Sequence, residues 1–304
     1  MEKKAKIEKP MDFKSGFIGI VGAPNVGKST LLNRLLGGKI SITSKKPQTT
    51  RNRILGIVQR PASQIIFLDT PGIFSTSNRF NIRLVETAFA VLGDVDIALL
   101  MIDASKPDPG SEQLVVKKLR NQKKPVILAF NKIDIVERST LLSKIDSWAK
   151  QFSFETIIPI SAKQGTQMEA LLRAMEVALP KGPQYFPKDL ITDMPEKFIA
   201  AEMVREKVFR FTGQEIPYAT AVTIDSFSED KKRSLAKIYA SIHVERDSQK
   251  GIIIGKKGIK LKEIGEAARI EIERMMGCRV FLKLFVRVQK NWSRDMKTLR
   301  RFGY

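Results

Sequence analysis

The feature that most constrains this chain is an eight-residue loop between an apolar strand and a helix. Residues 22–29 read Gly-Ala-Pro-Asn-Val-Gly-Lys-Ser, which fits the pattern G-x-x-x-x-G-K-[ST]. The strand pattern Phe17–Val21 ends directly before this loop, and the helical pattern Thr30–Leu36 begins directly after it. Glycines allow backbone N–H groups to surround phosphate oxygens, and the helix N-terminus adds a positive dipole end. The candidate phosphate-binding residues are Gly22, Ala23, Pro24, Asn25, Val26, Gly27, Lys28 and Ser29.

Further strand patterns alternate with helical patterns up to about residue 180. Predicted strands cover Ile65–Leu68, Ile97–Ile102, Val126–Phe130 and Ile157–Ile160, and amphipathic stretches cover about 111–122, 139–151 and 166–178. This alternation is typical of a mostly parallel sheet with helices on both faces. The predicted fold class of this part is therefore an α/β P-loop domain.

A proline-rich break divides the chain into two units. Three prolines and a glycine interrupt regular structure between residues 180 and 187. We expect a basic N-terminal extension (1–14), a nucleotide-binding domain (15–180), a linker (181–194) and a second domain with a C-terminal segment (195–304). The second domain has the pattern of a small α+β unit, with a helix, two strands, a Gly/Lys turn, a helix and a strand.

The segment after the second predicted strand has the chemistry of a magnesium site. Asp69 stands at the end of that strand, where it can hold Mg²⁺, and Gly72 can present a backbone N–H to a γ-phosphate. The Ser29 hydroxyl is the expected partner of Asp69 as a metal ligand. The candidate switch residues in this segment are Asp69, Thr70, Pro71 and Gly72.

A polar loop between these two motifs can complete the metal site. A threonine here can bind Mg²⁺ while a γ-phosphate is present and release it after hydrolysis. We favour Thr50 as this ligand, with Thr49 as the alternative. The candidate residues of this loop are Gln48, Thr49, Thr50, Arg51 and Asn52.

Two later segments indicate that the base is guanine. Asp134 can accept hydrogen bonds from guanine N1–H and N2–H, which adenine does not offer, Asn131 can contact the other edge of the purine, and the Lys132 stem can cover the ring. Ser161 and Ala162, after the last predicted strand, can offer a backbone N–H to the guanine carbonyl. With all four motifs at the ends of predicted strands, the sequence predicts a guanine-nucleotide site.

One residue of this site predicts slow hydrolysis. Ras-like enzymes carry a glutamine just after the Asp-x-x-Gly motif, where it orients the attacking water. The corresponding residue here is Ile73, whose side chain forms no hydrogen bond. We therefore expect a switch or timer with a low intrinsic rate.

The second domain contains a Gly-x-x-Gly turn between two apolar helical segments, which is the signature of a KH domain. Such glycines let an RNA backbone approach closely. The strand that closes the domain comes last, as in type II KH domains. The candidate RNA-binding residues are Lys250, Ile252, Ile253, Ile254, Gly255, Lys256, Lys257, Gly258, Lys260 and Lys262. Ile252–Ile254 and Ile259 are expected to form one apolar wall of the groove in which unpaired bases stack.

Charge and composition narrow the class of protein. The 304 residues include 53 Lys+Arg and 32 Asp+Glu, a formal net charge of +21, which indicates a polyanionic partner. One cysteine and one histidine argue against disulfides, zinc sites of the multi-cysteine kind and a histidine-based triad. Both RNA and an anionic membrane surface fit the charge, so a membrane-surface regulator remains the alternative function.

Two features near the C-terminus have competing interpretations. Residues 290–302 interleave cations with aromatic side chains, so they either contact nucleic acid or pack on the domain. His243 and Cys278 are expected to be structural.

The combination of these motifs resembles the Era family of bacterial GTPases. The likeness rests on Gly22–Ser29, Gln48–Asn52, Asp69–Gly72, Asn131–Asp134, Ile160–Ala162 and Gly255–Gly258, and it covers essentially the whole chain. It implies a cytoplasmic GTPase, peripheral on the membrane, that uses GTP, GDP and Mg²⁺. It also implies that the KH domain binds the 3′ end of 16S rRNA during assembly of the 30S subunit, without specificity for DNA. Asn25 matches an asparagine that helps to bind K⁺ in related GTPases, so K⁺ is a further expected cofactor.

Overall fold

The structure is a computed structural model, and it describes residues 12–44, 50–77, 79–213, 216, 220–230 and 232–302. The strands of the first domain are β1 (Lys14–Val21), β2 (Ile54–Gln59), β3 (Ser63–Asp69), β4 (Ile97–Asp103), β5 (Val126–Asn131) and β6 (Thr156–Pro159). Its helices are α1 (Lys28–Leu36), α2 (Arg79–Asp94), α3 (Pro109–Arg120), α4 (Arg138–Gln151) and α5 (Met168–Ala178). The second domain contains α6 (Glu196–Phe211), β7 (Ala221–Asp230), β8 (Leu235–Val244), α7 (Asp247–Ile254), α8 (Ile259–Met276), β9 (Arg279–Val288) and α9 (Met296–Arg301).

The described strands of the first domain form one sheet in the order β2-β3-β1-β4-β5-β6. All neighbours are parallel except β2, which runs antiparallel to β3 at the edge. Buried apolar residues lie on both faces, in one cluster with α1 and α5 and in a second with α2, α3 and α4. This confirms the mostly parallel sheet covered on both sides.

Two elements of this domain were not predicted from the sequence, the edge strand β2 and the helix α2. The signal for α2 is present, since Leu84, Ala88 and Val91 recur at helical spacing and are buried. For β2 the decisive contact is tertiary. A Cβ on Gly56 would lie 2.7 Å from side-chain atoms of both Leu32 and Leu36, so α1 packs directly on this strand.

The described strands of the second domain form a three-stranded sheet in the order β7-β8-β9, with β7 antiparallel and β9 parallel to β8. Helices α6, α7 and α8 lie on one face, where Ile264, Ala268 and Ile272 of α8 share one apolar core with the buried residues of β8. The predicted α+β order is confirmed.

Residues 181–192 are bound along the edge of the first domain. Lys181 forms a bridge with Lys14, and the Gln64 side chain accepts hydrogen bonds from the backbone N–H groups of Tyr185 and Phe186. Farther along, the Ile57 N–H donates to the Ile191 carbonyl at 2.9 Å. The segment predicted as a linker therefore follows β1, β3 and β2 in turn, while the main apolar cluster continues into the second domain.

In the part of the chain that the structure describes, no helix combines the length and the apolar character needed to cross a bilayer.

Candidate nucleotide site and RNA-binding surface

The phosphate loop connects β1 to α1, and its backbone leaves no room for side chains at two glycines. Gly22 has φ +153° and Gly27 has φ +104°. A Cβ on Gly22 would lie 2.3 Å from the Met101 carbonyl oxygen, and one on Gly27 would lie 2.2 Å from Asn131 Nδ2. The loop is thus held against the ends of β4 and β5, the strand ends where ligands bind in such sheets.

Lys28 places a buried ammonium group inside this loop. Its Nζ donates hydrogen bonds to the carbonyl oxygens of Gly22 at 3.1 Å and Ala23 at 2.9 Å. Burial lowers the pKa of Lys28 to about 8, and nearby Asp69 partly opposes this shift. A buried cation at the first residue of a helix is an arrangement that a phosphate group satisfies.

Three of the predicted metal ligands converge beside Lys28. Ser29 Oγ lies 2.8 Å from Thr50 Oγ1 and donates to Asp69 Oδ2 at 2.7 Å. The other carboxylate oxygen, Asp69 Oδ1, is buried without a hydrogen-bond partner among the described residues. Two hydroxyls and a carboxylate with an unused oxygen are suitable ligands for Mg²⁺. Thr49 and Gln48 lie outside the described residues.

Ser41 is a member of this cluster that sequence reasoning missed. It is fully buried, and its Oγ donates to Asp69 Oδ2 at 3.0 Å. Burial raises the pKa of Asp69, although Lys28 and the hydrogen bonds from Ser29 and Ser41 oppose the rise. The sequence assigns no chemistry to the loop around Ser41, so only its contact with Asp69 reveals the role of the serine.

The segment after Asp69 is packed against the phosphate loop. A Cβ on Gly72 would lie 2.8 Å from Pro24 Cα, and the Ile73 N–H donates to the Gly22 carbonyl at 3.1 Å. The Thr70 hydroxyl donates to the Ile20 carbonyl at 2.8 Å. The Ile73 side chain is fully buried in the apolar cluster of α2, α3 and α4, so it is directed into the core.

The side chain of Asn131 joins two loops. Its Nδ2 donates to the Val26 carbonyl at 2.7 Å, and its Oδ1 accepts from the Ala162 N–H at 2.9 Å. The Ser161 N–H is also engaged, with the Thr166 carbonyl at 3.3 Å. The structure therefore uses these three residues, predicted to contact the base, to connect the phosphate loop with the end of β6.

Asp134 and Lys132 occupy the same edge of the sheet. Asp134 Oδ1 accepts a 2.6 Å hydrogen bond from the Ser161 hydroxyl, which orients the carboxylate. Lys132 has a left-handed backbone (φ 68°) and pairs with Asp103. Burial alone would raise the pKa of Asp103, but hydrogen bonds from Lys132 and Ser105 outweigh it and lower the pKa.

The Gly-x-x-Gly turn of the second domain separates α7 from α8. Gly255 has φ +73°, and a Cβ there would lie 2.7 Å from Lys260 Cβ. Lys256 and Lys257 are exposed in the turn. Ile252 and Ile259 beside it are also exposed, by 45% and 58%. The turn therefore presents two cations between two exposed apolar side chains.

The expected isoleucine wall requires a correction. Ile253 is fully buried in the core of the domain and Ile254 is half-buried, so the groove gains only part of the run 252–254. The reason is that α7 is a helix, in which consecutive side chains point about 100° apart. Of the remaining lysines, Lys262 is exposed and lies 3.9 Å from Glu266, while Lys250 and Lys260 are half-buried.

The C-terminal aromatic residues pack on the domain. Trp292 is fully buried and Phe302 nearly so, and the Phe302 ring lies 4.3 Å from the ring of His243. His243 Nε2 lies 2.8 Å from the Thr223 hydroxyl, and burial lowers the pKa of His243 to about 4. Of the two interpretations of this segment, packing holds for these aromatic side chains.

Comparison with known proteins identifies the family. A family model described as 50S ribosome-binding GTPase matches residues 17–132, and a KH domain model matches residues 215–293. GTPase Era of Geobacter metallireducens is 52% identical over 292 residues, which cover 96% of this chain and 98% of that protein. GTPase Era of Syntrophus aciditrophicus is 48% identical over 304 residues, covering 100% and 99% of the two chains. The chain belongs to the Era family of GTPases.

Crystal structures of Era proteins have the same fold over almost the whole chain. An Aquifex aeolicus Era variant bound to GDP·AlF₄⁻ is 42% identical with a TM-score of 0.91, over 96% of this chain and 99% of that one. Era in complex with MgGDPNP and nucleotides 1506–1542 of 16S ribosomal RNA is 43% identical, with the same TM-score and coverage. The P-loop GTPase domain and the KH domain predicted from the sequence are confirmed. GTP, GDP and Mg²⁺ are the nucleotides and metal of this family.

Proposed function

We propose that this protein is a GTP-driven, RNA-binding switch that acts in assembly of the 30S ribosomal subunit. Its KH domain binds the 3′ end of 16S rRNA in the pre-30S particle, and GTP and its hydrolysis control that binding. The observation that carries the proposal is a continuous set of contacts from the metal-ligand cluster to the helices of the KH domain.

The first of these contacts is an ionic clamp. We use this term for Lys39, Glu206, Lys207 and Glu271. Lys39 Nζ lies 2.7 Å from Glu206 on α6 and 2.6 Å from Glu271 on α8. Lys207 pairs with the same two carboxylates and is 1% exposed. Glu206 also accepts a 3.0 Å hydrogen bond from the backbone N–H of Thr43.

The second contact is made by Arg51. This side chain is 2% exposed, and its Nη1 donates to the Thr220 carbonyl of the KH domain at 2.8 Å. Its guanidinium carbon lies 5.9 Å from the centre of the Phe209 ring on α6. Arg51 directly follows Thr50, so displacement of Thr50 pulls on a residue that is anchored in the other domain.

The segment from Lys39 to Arg51 therefore has its two ends on the KH domain and two members in the metal-ligand cluster. Those members are Ser41 and Thr50, which contact Asp69 and Ser29. A nucleotide that holds Thr50 favours this arrangement, and loss of the γ-phosphate removes the interaction that keeps Thr50 in place. Since coupling is reciprocal, RNA bound to the KH domain changes nucleotide affinity by the same factor.

Each residue of the nucleotide site has a defined task in this scheme. Lys28 and the loop N–H groups hold the phosphates, and Asp134 selects guanine. Mg²⁺, when held by Ser29, Thr50 and Asp69, neutralises charge on the phosphate oxygens. With Ile73 turned into the core, no glutamine orients the attacking water from this position, so hydrolysis is slow. A kcat above about 10 s⁻¹ for the isolated protein would contradict slow hydrolysis.

The RNA assignment is supported by the exposed lysines and isoleucines at Gly255–Gly258 and by the likeness to Era bound to a 16S rRNA fragment. Such a groove receives unpaired nucleotides whose backbone passes close to the glycines. Ribosomal subunits assemble in the cytoplasm, so the proposed function places the protein there. Specificity for DNA is not part of the proposal.

The decisive experiment is crosslinking of the full chain to cellular RNA, followed by sequencing of the bound RNA, with a non-hydrolysable GTP analogue and with GDP. Reads concentrated at the 3′ end of 16S rRNA, with yields that differ between the nucleotides, are expected. The control is a variant that combines Gly255→Asp and Gly258→Asp, which should lose these reads. Reads spread over unrelated RNA with both nucleotides would contradict the proposal.

The membrane alternative gives a different result with the same control. Binding to vesicles of anionic lipid depends on summed charge, so the two Gly→Asp changes should reduce it only modestly. Vesicle binding that persists while 16S reads are absent would favour a regulator on the cytoplasmic face of the membrane.

Asn25 supports a K⁺ effect within the same proposal. It is exposed in the phosphate loop and has a left-handed backbone (φ 64°). GTP turnover should be faster in KCl than in NaCl of equal concentration, and Asn25→Ala should abolish the difference. Equal rates in the two salts for the unchanged protein would remove K⁺ from the mechanism.

A further inference from the structure

The strand β9 carries an alternation of cations and aromatic rings that the nucleotide site and the Gly-x-x-Gly groove do not use. Side chains two residues apart on a strand share a face. Its even-numbered residues turn toward the core, whereas all odd-numbered residues are exposed. The exposed residues are Arg279, Phe281, Lys283, Phe285 and Arg287.

The neighbouring strand β8 extends this surface. In the parallel register Lys237 lies beside Phe281, and Tyr239 lies beside Lys283. The rings of Tyr239 and Phe281 are 6.0 Å apart, and Lys283 Nζ lies 5.5 Å from the centre of the Phe285 ring. We call the surface formed by these residues together with Arg279 and Arg287 the aromatic sheet face.

The same side of the sheet is covered at its other end. There Trp292 and Phe302 pack over His243 of β8 and Ala221 of β7, which are neighbours in the register. This cover stops before Phe281 and Phe285, which are 47% and 38% exposed. The domain thus buries one group of aromatic rings and presents the other to solvent.

The charge of the aromatic sheet face is suited to a polyanion. Lys237, Arg279 and Lys283 form no ion pair with any residue that the structure describes. The carboxylates at its rim are already paired, Asp225 with Arg287 and Asp230 with Arg233. The free positive charges therefore stand between exposed rings.

The alternation itself distinguishes between polyanions. A single strand of nucleic acid presents phosphates and unstacked bases in turn, and proteins that bind such strands combine a cationic track with aromatic stacking platforms. Exposed aromatic residues on a flat sheet stack two or three bases in other RNA-binding domains. An anionic membrane surface also attracts cations and accepts inserted aromatic rings, but its binding does not require that rings and cations alternate at a fixed spacing.

We propose that the aromatic sheet face binds single-stranded RNA as a second contact surface of the KH domain. The Gly-x-x-Gly turn lies between α7 and α8, which cover the opposite side of the same sheet. RNA that leaves the groove can therefore be held on both sides of the domain. This inference rests on the proposed function only for the class of partner, which is RNA.

The test measures binding of fluorescent oligo(U) of increasing length to the full chain by anisotropy. The main variant combines Phe281→Leu with Phe285→Leu, which keeps apolar side chains and removes the stacking rings. Because stacking on one ring contributes at least about a factor of five, the double variant should bind long oligo(U) about 25-fold or more weakly. Leu142→Ala, which changes an exposed apolar residue of α4, should leave binding unchanged.

Two further variants test the cations and the Gly-x-x-Gly groove separately from the aromatic rings. Lys283→Gln with Arg279→Gln should weaken binding and reduce its salt dependence. The Gly255→Asp, Gly258→Asp variant should retain residual binding that the two Phe→Leu changes then remove. Photo-crosslinking of oligo(U) containing 4-thiouridine should yield a crosslinked peptide from β9.

Several outcomes would overturn the inference. Unchanged affinity in both the Phe→Leu and the charge variants, with binding still lost in the Gly→Asp variant, would contradict the second surface while leaving the proposed function intact. A dimer in sedimentation that Phe281→Leu and Phe285→Leu dissolve would assign the face to a second copy of the chain. Vesicle binding that these changes abolish, with RNA affinity unaltered, would assign it to lipid. Failure of the unchanged protein to bind any RNA would refute the proposed function as well.

Discussion

Replacement of Lys39 by methionine tests whether the ionic clamp transmits the nucleotide state to the KH domain. The change keeps a long apolar stem and removes the ammonium group that binds Glu206 and Glu271. Both carboxylates then keep Lys207 as a partner, and Glu206 also keeps the Thr43 backbone N–H. We expect the affinity of the full chain for RNA to become less dependent on the bound nucleotide.

The magnitude follows from the two ionic contacts of Lys39. A hydrogen bond to a charged group contributes about 1.5–3 kcal/mol, so two of them contribute about 3 kcal/mol at the lower end. Because the Lys39 side chain is 29% exposed, solvent reduces this to about 2 kcal/mol. The clamp can transmit no more than its own free energy, so the ratio of RNA affinities with GTP analogue and GDP should fall by up to about 30-fold.

The assay is fluorescence anisotropy of a labelled single-stranded RNA from the 3′ end of 16S rRNA, with a saturating GTP analogue and with GDP. Glu271→Gln should reduce the same ratio. In the double variant the reduction should be smaller than the sum of the two single reductions, because both changes break the same ion pair between Lys39 and Glu271. Arg173→Met, which removes an exposed ion pair with Glu169 on α5, is the matched control and should change nothing.

The pH dependence gives an independent check on the clamp. Burial alone would raise the pKa of Glu271, but hydrogen bonds from Lys207 and Lys39 outweigh it and hold the pKa below the usual 4.5. A lowered carboxyl pKa stabilises the fold at pH values above the pKa of the unfolded chain, and this stabilisation is lost as the pH falls through the pKa of the folded protein.

An RNA-affinity ratio in Lys39→Met equal to that of the unchanged protein would refute the proposed role of the clamp.

Four further changes test the site and the fold. Asn131→Ala removes both hydrogen bonds between two loops and should lower the free energy of unfolding by about 1–3 kcal/mol, measured by denaturant titration; full stability would contradict the bridging position. Asp134→Ala should weaken binding of a fluorescent GTP analogue at least about tenfold, and an unchanged Kd would exclude it from the guanine site. Ile73→Gln buries an amide in the core, so it should lower the free energy of unfolding by about 1–3 kcal/mol. The rate of single-turnover GTP hydrolysis should not rise, and a faster rate would show that the side chain reaches the phosphate. Burial lowers the pKa of His243 to about 4, so as the pH falls from 6.5 the unfolded chain takes up the proton first and the free energy of unfolding declines between these two values. His243→Gln should reduce this decline, measured by denaturant titration at a series of pH values. The same pH dependence in the variant and the unchanged protein would contradict the assignment of the decline to His243.

Much of the nucleotide site was predictable because its chemistry requires given residue types at short, fixed spacings. The loop Gly22–Ser29 must combine glycines, a lysine and a hydroxyl between a strand and a helix, and that requirement is visible in eight consecutive residues. The same holds for the turn Gly255–Gly258, where Gly255 combines a positive φ with a close approach to Lys260 and Gly258 has a positive φ. The order of strands and helices also followed from local apolar patterns, apart from β2 and α2 in the first domain and α9 near the C-terminus.

Other predictions failed or stayed open because they depend on which surfaces meet. The run Ile252–Ile254 is uniformly apolar, and only the helical turn of α7 decides that Ile253 enters the core. The cations and aromatics of residues 290–302 match a nucleic-acid surface in sequence, yet Trp292 is fully buried in the fold. On β9 the same composition alternates at a period of two, and the sheet leaves its rings exposed.

The sequence by itself determined that this chain binds a guanine nucleotide, has the motifs of the Era family and carries a KH domain after a proline-rich break. Tertiary structure alone decided how the two domains are connected. Lys39 and Glu271 are 232 residues apart in the chain, and Ser41 reaches Asp69 across 28 residues. No local spacing encodes such pairs. Lys39 meets Glu271 only when the packing of α6 and α8 brings the second domain against this loop, and Ser41 meets Asp69 only when the loop lies against the end of β3.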